Sequence, residues 1–456
     1  MALQHRRRGP TFTPPQALAA GFALLILIGT VLLALPVAHE PGHRLSLTDA
    51  LFMATSAVCV TGLAVVDVST TFSAFGEVVL LLLVQAGGLG IMSLSAMMFL
   101  LTGRRIGLHE RLMMQEALGS LSIAGVVRLT RTIIAGTLAV EAIGAALLSL
   151  RFLAYYPPAQ ALYFGIFHSI TAFNNAGFDL TSRSLRPFQH DPAVLLVMAG
   201  LILMGGMGFV VLQDVWHHRR WERFSLQTKL VLAVTGVLVG AATLLVLALE
   251  WGNPATLGGL PVPEKLLNAF FTAVTFRTAG FESIPTAGMA SAALLLAMVL
   301  MFIGGSPGGT GGGIRTTTFA VIALAVRATV RGTEDIQAMG RRLPRELLDR
   351  AIAIVAMSMA VIVAVGGLLL VTEGHLVTAP GNPFGAADVL FESTSAFTTM
   401  GLSTGVTPHL SMAGRLLLTV TMYVGRIGPL TAAVALAQRR RERVNIDYPE
   451  ERVMIG

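Results

Sequence analysis

The segment FFTAVTFRTAGF (Phe270–Phe281) sets an arginine, a glycine and three threonines between strongly apolar stretches of sequence. It is too polar and too short to cross a bilayer, and what flanks it is too apolar for an ordinary soluble loop. Aligned on the glycine, the same pattern returns four times: FMATSAVCVTGL from Phe52, FHSITAFNNAGF from Phe167, FFTAVTFRTAGF from Phe270 and FESTSAFTTMGL from Phe391. Each copy has a phenylalanine ten residues before its glycine. The glycines Gly62, Gly177, Gly280 and Gly401 lie 115, 103 and 121 residues apart, too far for a solenoid and right for a unit of two helices and a loop.

Composition places these copies in a membrane. The chain has 456 residues, 54% hydrophobic and only 12% charged, with a mean hydropathy of +0.73, whereas a soluble domain carries about 25% charge. Runs of bilayer-spanning length occur at Ala17–Leu35, Val78–Leu101, Ile133–Leu150, Val194–Leu212, Leu230–Leu249, Leu294–Ile303 continuing at Phe319, Ala351–Val371 and Leu416–Ala437. These predict eight transmembrane helices, one of them interrupted. Ala17–Leu35 runs into Pro36 without a small-residue cleavage site and reads as the first span rather than a cleavable signal. The sole cysteine, Cys59, excludes an intrachain disulfide framework and any Cys-based metal cluster. An enzyme would need clustered His, Asp and Glu in the spans, and apart from Glu141 the spans lack them.

The net charge of +7 is carried almost wholly by arginine. Arginines cluster at Arg6–Arg8, Arg104 with Arg105 and Arg111, Arg128 with Arg131, Arg219 with Arg220 and Arg223, Arg327 to Arg350, and Arg439–Arg443; the alternate connections carry only Arg44 and Lys265. The positive-inside rule then puts both termini in the cytoplasm. Because the clusters fall at span ends, topology explains them and no nucleic-acid partner is expected.

Each copy reads in the same order: a span, an outer connection, a short Ser/Thr-rich segment, the glycine, and a second span. The fold class expected is an all-α integral membrane protein of four helix–pore-loop–helix units around one central pore. The units are 1–110, 111–224, 225–345 (with a glycine-rich loop at 304–318) and 346–440, followed by a tail, 441–456. Non-helical polar backbone at membrane depth is tolerated only where protein buries it or it lines a water-filled path; turn glycines in plain outer loops are the alternative. Phe52, Phe167, Phe270 and Phe391 are expected to anchor short pore helices, with Asp49 and Asp388 capping two of them. Their C-termini point partial negative charge at the pathway. Beyond them Val60, Thr61 and Gly62, Asn175, Ala176 and Gly177, Thr278, Ala279 and Gly280, and Thr399, Met400 and Gly401 are expected to run extended, glycine allowing positive φ, so that four rings of carbonyls replace the water around a dehydrated K+. Cys59, Asn174, Arg277 and Thr398, aligned one step earlier, are expected to brace this filter from behind, since Arg277 facing a cation would repel it.

At this point the chain resembles, over nearly its whole length, the Trk/Ktr/HKT superfamily of cation transporters. The segments VCVTGL, FNNAGF, FRTAGF and FTTMGL are similar to that family's degenerate filter, and glycine in all four implies potassium selectivity. A single span before Phe52, where Trk-type members carry an extra helix pair, makes it more similar to the membrane subunit of a Ktr system. The resemblance implies potassium uptake across a bacterial cytoplasmic membrane by a homodimer embedded in the lipid bilayer, seated on a separate cytosolic nucleotide-binding ring of the RCK type. It implies no cofactor in this chain, K+ as the transported ion with Na+ as a candidate activator, and nucleotide only through the regulator. A sodium- or proton-coupled symporter working by alternating access is the rival, although copies in one orientation favour a fixed pore over inverted repeats.

A second aligned feature follows each filter: GGLG at Gly87, GGMG at Gly205, GGSP at Gly304 and GRIG at Gly425. The fourth substitutes Arg426, deep in a span where a lone charge is costly; it reads as an electrostatic barrier, and it matches the arginine this family places in its pore. The third opens FIGGSPGGTGGGIRTTTF (Phe302–Phe319), with eight Gly or Pro residues between Gly304 and Gly313. Glycine costs about 1 and proline about 3 kcal/mol in a helix interior, so the span should break and stay mobile. Gly305, Ser306, Pro307, Gly308, Gly309, Thr310, Gly311, Gly312 and Gly313 match the family's intramembrane gating loop and, with Arg426, form the expected gate. The segment GGGIRTTT lacks the lysine of a phosphate cradle. Glu141 is either a functional carboxylate or one end of an interhelical hydrogen bond. Asp67, Asp179 and Glu282 read either as an acidic outer mouth or as solvated loop residues. The charged tail from Gln438 reads as an interaction segment.

Overall fold

The four short segments fold as short helices, Leu47–Val58, Pro158–Phe173, Val262–Thr275 and Ala386–Thr398, each ending just before its filter residues. The computed structural model describes residues 14–90, 126–333, 335–378, 382–429 and 431–432. The arginine clusters at Arg6–Arg8, Arg104–Arg111 and Arg439–Arg443, the unit boundary at 110/111 and the tail 441–456 lie outside these residues.

A long outer helix precedes each short one: Pro14–Ala34, Val126–Phe152, Leu226–Glu250 and Arg345–Thr372. An inner helix follows: Ala74–Leu89, Pro192–Met207, Ser291–Ile303 and Met412–Ile427. Among the described residues, four helices are long and apolar enough to cross a bilayer, all of them outer helices. Pro192–Met207 with Phe209–His218 makes a fifth if their 100° bend is a break within one span. The other expected spans are shorter helices that stop at glycine. Ala74–Leu89, Pro192–Met207 and Met412–Ile427 end on Gly90, Gly208 and Gly428, whose φ of 77°, 92° and 91° a side chain rarely adopts. Ser291–Ile303 ends on Gly304, and helix resumes only at Thr316.

Packing is cyclic. In the first, second and fourth quarters the short helix packs between its own outer and inner helices, the third packs on its outer helix Leu226–Glu250 and on the inner helix Pro192–Met207, and each inner helix also packs on the next short helix in chain order, the fourth closing on the first. Phe52, Phe167 and Phe391 are fully buried, as the pattern requires. The third copy differs: Phe270 is half-buried and Phe271 takes the interior place. That helix ends one residue earlier than the second copy relative to its glycine, and one residue turns a helix face by about 100°.

Capping is also corrected at one position. Ser46, not Asp49, caps the first short helix, accepting from Asp49 N–H at 3.1 Å. The Asp49 carboxylate instead takes Ser46 Oγ at 2.8 Å and ion-pairs with Arg415 of the fourth inner helix at 2.5 Å. Asp388 does cap, its carboxylate accepting from Gly385 N–H at 2.8 Å.

The outer end of each outer helix is tied to the start of its own inner helix. Ser73 donates to Val37 O at 2.6 Å; Ala290 N–H donates to Glu250 at 2.8 Å; Ser411 N–H donates to Glu373 at 2.9 Å. In the second quarter Asp191 caps Pro192–Met207 and accepts from Arg151 at 2.6 Å and Tyr155 at 2.9 Å. Burial raises the Asp191 carboxyl, but the bonds from Arg151, Tyr155 and Val194 N–H outweigh it and hold it below the usual carboxylate range. Its stabilisation is complete above an ordinary carboxylate pKa and is lost as pH falls below it. Asp191→Ala is expected to lower the thermal midpoint in detergent by about 1–3 °C, the effect of losing one cap.

Candidate functional site

The four glycine segments converge on one ring. A β-carbon on Gly62 would stand 2.3 Å from Ala176 O and 3.0 Å from Gly177 Cα. On Gly177 it would meet Gly280 Cα at 3.0 Å and Ala279 O at 3.2 Å; on Gly280, Met400 O at 2.5 Å; on Gly401, Thr61 O at 2.0 Å and Gly62 Cα at 3.0 Å. Each glycine thus faces the carbonyl that precedes the next glycine, and the order 62, 177, 280, 401 closes on itself. Even one methyl group would enter the ring.

The backbone there is unusual in a way the sequence does not disclose. All four glycines have positive φ, and so do the residues two places earlier: Val60 (56°), Asn175 (57°), Thr278 (65°) and Thr399 (49°). In a regular strand successive carbonyls point to opposite sides; reversing φ at every second residue turns them toward one side. For β-branched Val60, Thr278 and Thr399 the left-handed region is strained by about 1–3 kcal/mol each. Hydrogen bonds to the short helices hold it: Thr61 N–H to Ser56 O (2.8 Å), Ala176 N–H to Thr171 O (2.8 Å), Ala279 N–H to Thr275 O (3.1 Å) and Met400 N–H to Ser395 O (2.9 Å). The hydroxyls of Ser56 and Ser395 also accept from Gly62 N–H and Gly401 N–H at 3.0 and 3.2 Å.

Cys59, Asn174, Arg277 and Thr398 are all buried. Cys59 caps its short helix, N–H to Thr55 O at 2.8 Å. Thr398 Oγ1 donates back to Thr394 O at 2.8 Å. Arg277 Nη2 donates to Gly304 O at 3.5 Å. Asn174 Nδ2 donates to Gln85 Oε1 at 2.8 Å and Glu141 Oε1 at 3.0 Å, so Glu141 is the end of an interhelical hydrogen-bond network.

Beneath the ring, the glycine doublets do work that the alignment alone does not reveal. A β-carbon on Gly87, Gly205 or Gly425 would lie 1.9, 1.7 or 1.9 Å from the carbonyl oxygen of Val58, Phe173 or Phe397. Gly87, Gly205 and Gly425 therefore each seat the last turn of a short helix, and the glycine three residues on ends the inner helix, whereas Gly304 of GGSP meets Gly312 O instead. The signal was present in GGLG, GGMG and GRIG, since glycine just past an apolar run marks a helix end.

The glycine-rich loop breaks its helix, as expected, but it is a hydrogen-bonded segment rather than a free coil. Ser306 N–H donates to Gly206 O (2.9 Å), Thr310 N–H to Gly205 O (3.1 Å), Gly305 N–H to Gly312 O (2.9 Å) and Phe209 N–H to Gly308 O (3.2 Å). Pro307 O lies 2.4 Å from where a Gly208 β-carbon would stand, and Gly309 and Gly311 likewise pack against Gly206 O and the Thr278 hydroxyl. Gly313, at φ 69°, turns the chain back under Met301. Arg315 Nη1 donates to Gly311 O at 2.6 Å. Arg426 joins the loop to the first quarter: Nη1 to Thr310 O at 2.5 Å and Nη2 to Gly87 O at 2.6 Å. A guanidinium can satisfy both at once because its donors form a rigid fork.

The outer carboxylates are engaged locally. Asp67 accepts from Ser69 N–H at 2.9 Å, Asp179 from Thr181 N–H at 2.8 Å, and Glu282 pairs with Arg186. Among the described residues no group of three or more His, Cys, Asp or Glu side chains is placed to hold a metal ion.

A family model described as cation transport protein, TrkH, matches residues 13–444. The Ktr system potassium uptake protein B of Bacillus subtilis is 42% identical over 445 residues, 98% of this chain and 97% of that protein. The potassium/sodium uptake protein NtpJ of Enterococcus hirae is 36% identical over 457 residues, covering 100% of both. The crystal structure of the potassium transporter TrkH from Vibrio parahaemolyticus superposes with a TM-score of 0.70 at 19% identity, over 95% of this chain and 86% of that one, and shares the fold.

Proposed function

The chain belongs to the TrkH family of cation transport proteins, and from that premise we propose that it takes up potassium across the cytoplasmic membrane through a channel-like pore. The observation that carries the reading is the closed ring of Gly62, Gly177, Gly280 and Gly401 with the carbonyls of Thr61, Ala176, Ala279 and Met400 directed at it. Four pseudo-equivalent units supply one segment each, and four outer and four inner helices surround them. Neutral carbonyl oxygens suit a monovalent cation that must be stripped of water and then released. Arg426 and the 304–313 loop form the gate beneath. The name of the Bacillus relative, a protein of a Ktr system, supports work alongside other components of such a system, and the family resemblance drawn from the sequence extends this to a homodimer with a cytosolic nucleotide-binding regulator.

The test is Rb+ flux into proteoliposomes loaded with K+, with Na+ as competitor. Gradient-driven Rb+ entry that external Na+ does not slow, and a fall of about tenfold or more in K+ preference over Na+ for Gly62→Ser, are the expected results, because the added side chain meets Ala176 O and displaces a ring carbonyl. The name of the Enterococcus relative favours a second reading, sodium-coupled symport. That reading requires an imposed Na+ gradient to drive Rb+ uphill, and it replaces the pore if it does so.

A further inference from the structure

Behind the second filter segment lies a carboxylate that the pore does not touch directly. Glu141 sits in the middle of the outer helix Val126–Phe152 and is 4% exposed. Its Oε1 accepts from Asn174 Nδ2 at 3.0 Å and its Oε2 from Gln85 Nε2 at 3.1 Å. The triangle closes through Asn174 Nδ2 to Gln85 Oε1 at 2.8 Å. Ser169 Oγ also donates to the Glu141 backbone oxygen at 2.7 Å, fixing the outer helix against the short one. Three elements therefore meet in one set of bonds: an outer helix, the inner helix of the preceding quarter, and the residue that enters the filter.

Asn174 directly precedes Asn175, one of the four left-handed residues, and its side chain is held on the other side by Gly88, where a β-carbon would stand 1.9 Å from Asn174 Oδ1. A buried charge is costly in a membrane unless its acceptors are filled, and a carboxylate is acceptor on both oxygens. It can hold two amide donors at once, which an amide in its place cannot do without opposing an NH2 to an NH2.

We propose that Glu141 is a positioning residue for ion selection: by accepting from Asn174 and Gln85 it sets the place of Asn174–Gly177 in the glycine ring, and with it the discrimination of K+ from Na+. This rests on the pore reading above, and its test separates the two. Rb+ influx with K+ or Na+ as competitor is measured for wild type, Glu141→Gln, Glu141→Asp, and the exchange Gln85→Glu with Glu141→Gln.

The K+ over Na+ preference is expected to fall about fivefold or more in Glu141→Gln, the loss of roughly one hydrogen bond to the filter entry. Glu141→Asp, one methylene shorter, is expected to fall in the same direction. The exchange variant restores acceptor and donors in reversed places and is expected to recover preference to within about twofold of wild type. Protein yield and thermal midpoint are measured alongside. If both single variants keep the wild-type preference and lose only yield or thermal midpoint, Glu141 is a structural group alone and the proposal is wrong. If the exchange fails to recover preference while reaching wild-type stability, it is equally wrong. Should Glu141→Gln fail to accumulate, Glu141→Asp and the exchange decide. Failure of wild type itself to prefer K+ would instead overturn the pore reading.

Discussion

Arg426→Ala is expected to raise passive K+ influx by about tenfold or more. Arg426 makes two charge-assisted bonds, to Thr310 O and Gly87 O, each of the class worth about 1.5–3 kcal/mol. They hold the loop of the third quarter to the inner helix of the first, directly under the ring. Losing both removes at least about 3 kcal/mol from the plugged arrangement, about a hundredfold in its equilibrium with an unplugged one; saturation of the pore limits what flux can register. Arg426→Lys separates barrier from latch. A pure charge barrier is indifferent to the change, whereas a latch that needs the two-pronged fork is weakened, so an influx between wild type and alanine is expected. Flux in Rb+-loaded vesicles reads both variants, and an Arg426→Ala rate at or below wild type removes Arg426 from the gate.

The second large effect is expected at Gly401. Alanine there must adopt φ near 89° and place a methyl 2.0 Å from Thr61 O. Thr61 O, like Gly62 Cα at 3.0 Å, is backbone rather than the movable end of a side chain, so the ring itself must distort, and uptake is expected to fall by about a hundredfold or more. Gly240→Ala is the matched control: it lies mid-helix with nothing within 4 Å of its β-carbon. It is expected to leave uptake unchanged and to gain up to about 1 kcal/mol of helix stability. Equal loss in both variants would show that glycine matters here for backbone entropy alone, without a ring to obstruct.

What was legible in the sequence follows from how each feature is encoded. The four segments, their glycines and the interrupted third inner helix are written in residue types that have no other reason to recur at that spacing. The anchoring phenylalanine of the third copy slipped by one because Phe270 and Phe271 are adjacent and hydropathy does not choose between them. The left-handed conformation of Val60, Thr278 and Thr399 was invisible, since β-branched residues are those least expected there; only tertiary bonds impose it. Likewise the loop at 304–313 looked mobile by propensity, and partners from another quarter, Gly205 and Gly206, fill its hydrogen bonds. Glu141 was ambiguous for the same reason: its partners Gln85 and Asn174 are distant in sequence.

Arg426 takes hold of two main-chain oxygens, and this bears on how the protein can vary through descent. A carbonyl is supplied by whatever residue occupies a position, so substitution at 310 leaves the acceptor in place; at 87 the oxygen would persist too, though Val58 excludes anything but glycine. The attachment can be inherited through change at 310 itself, and its loss by point mutation is concentrated in a single codon.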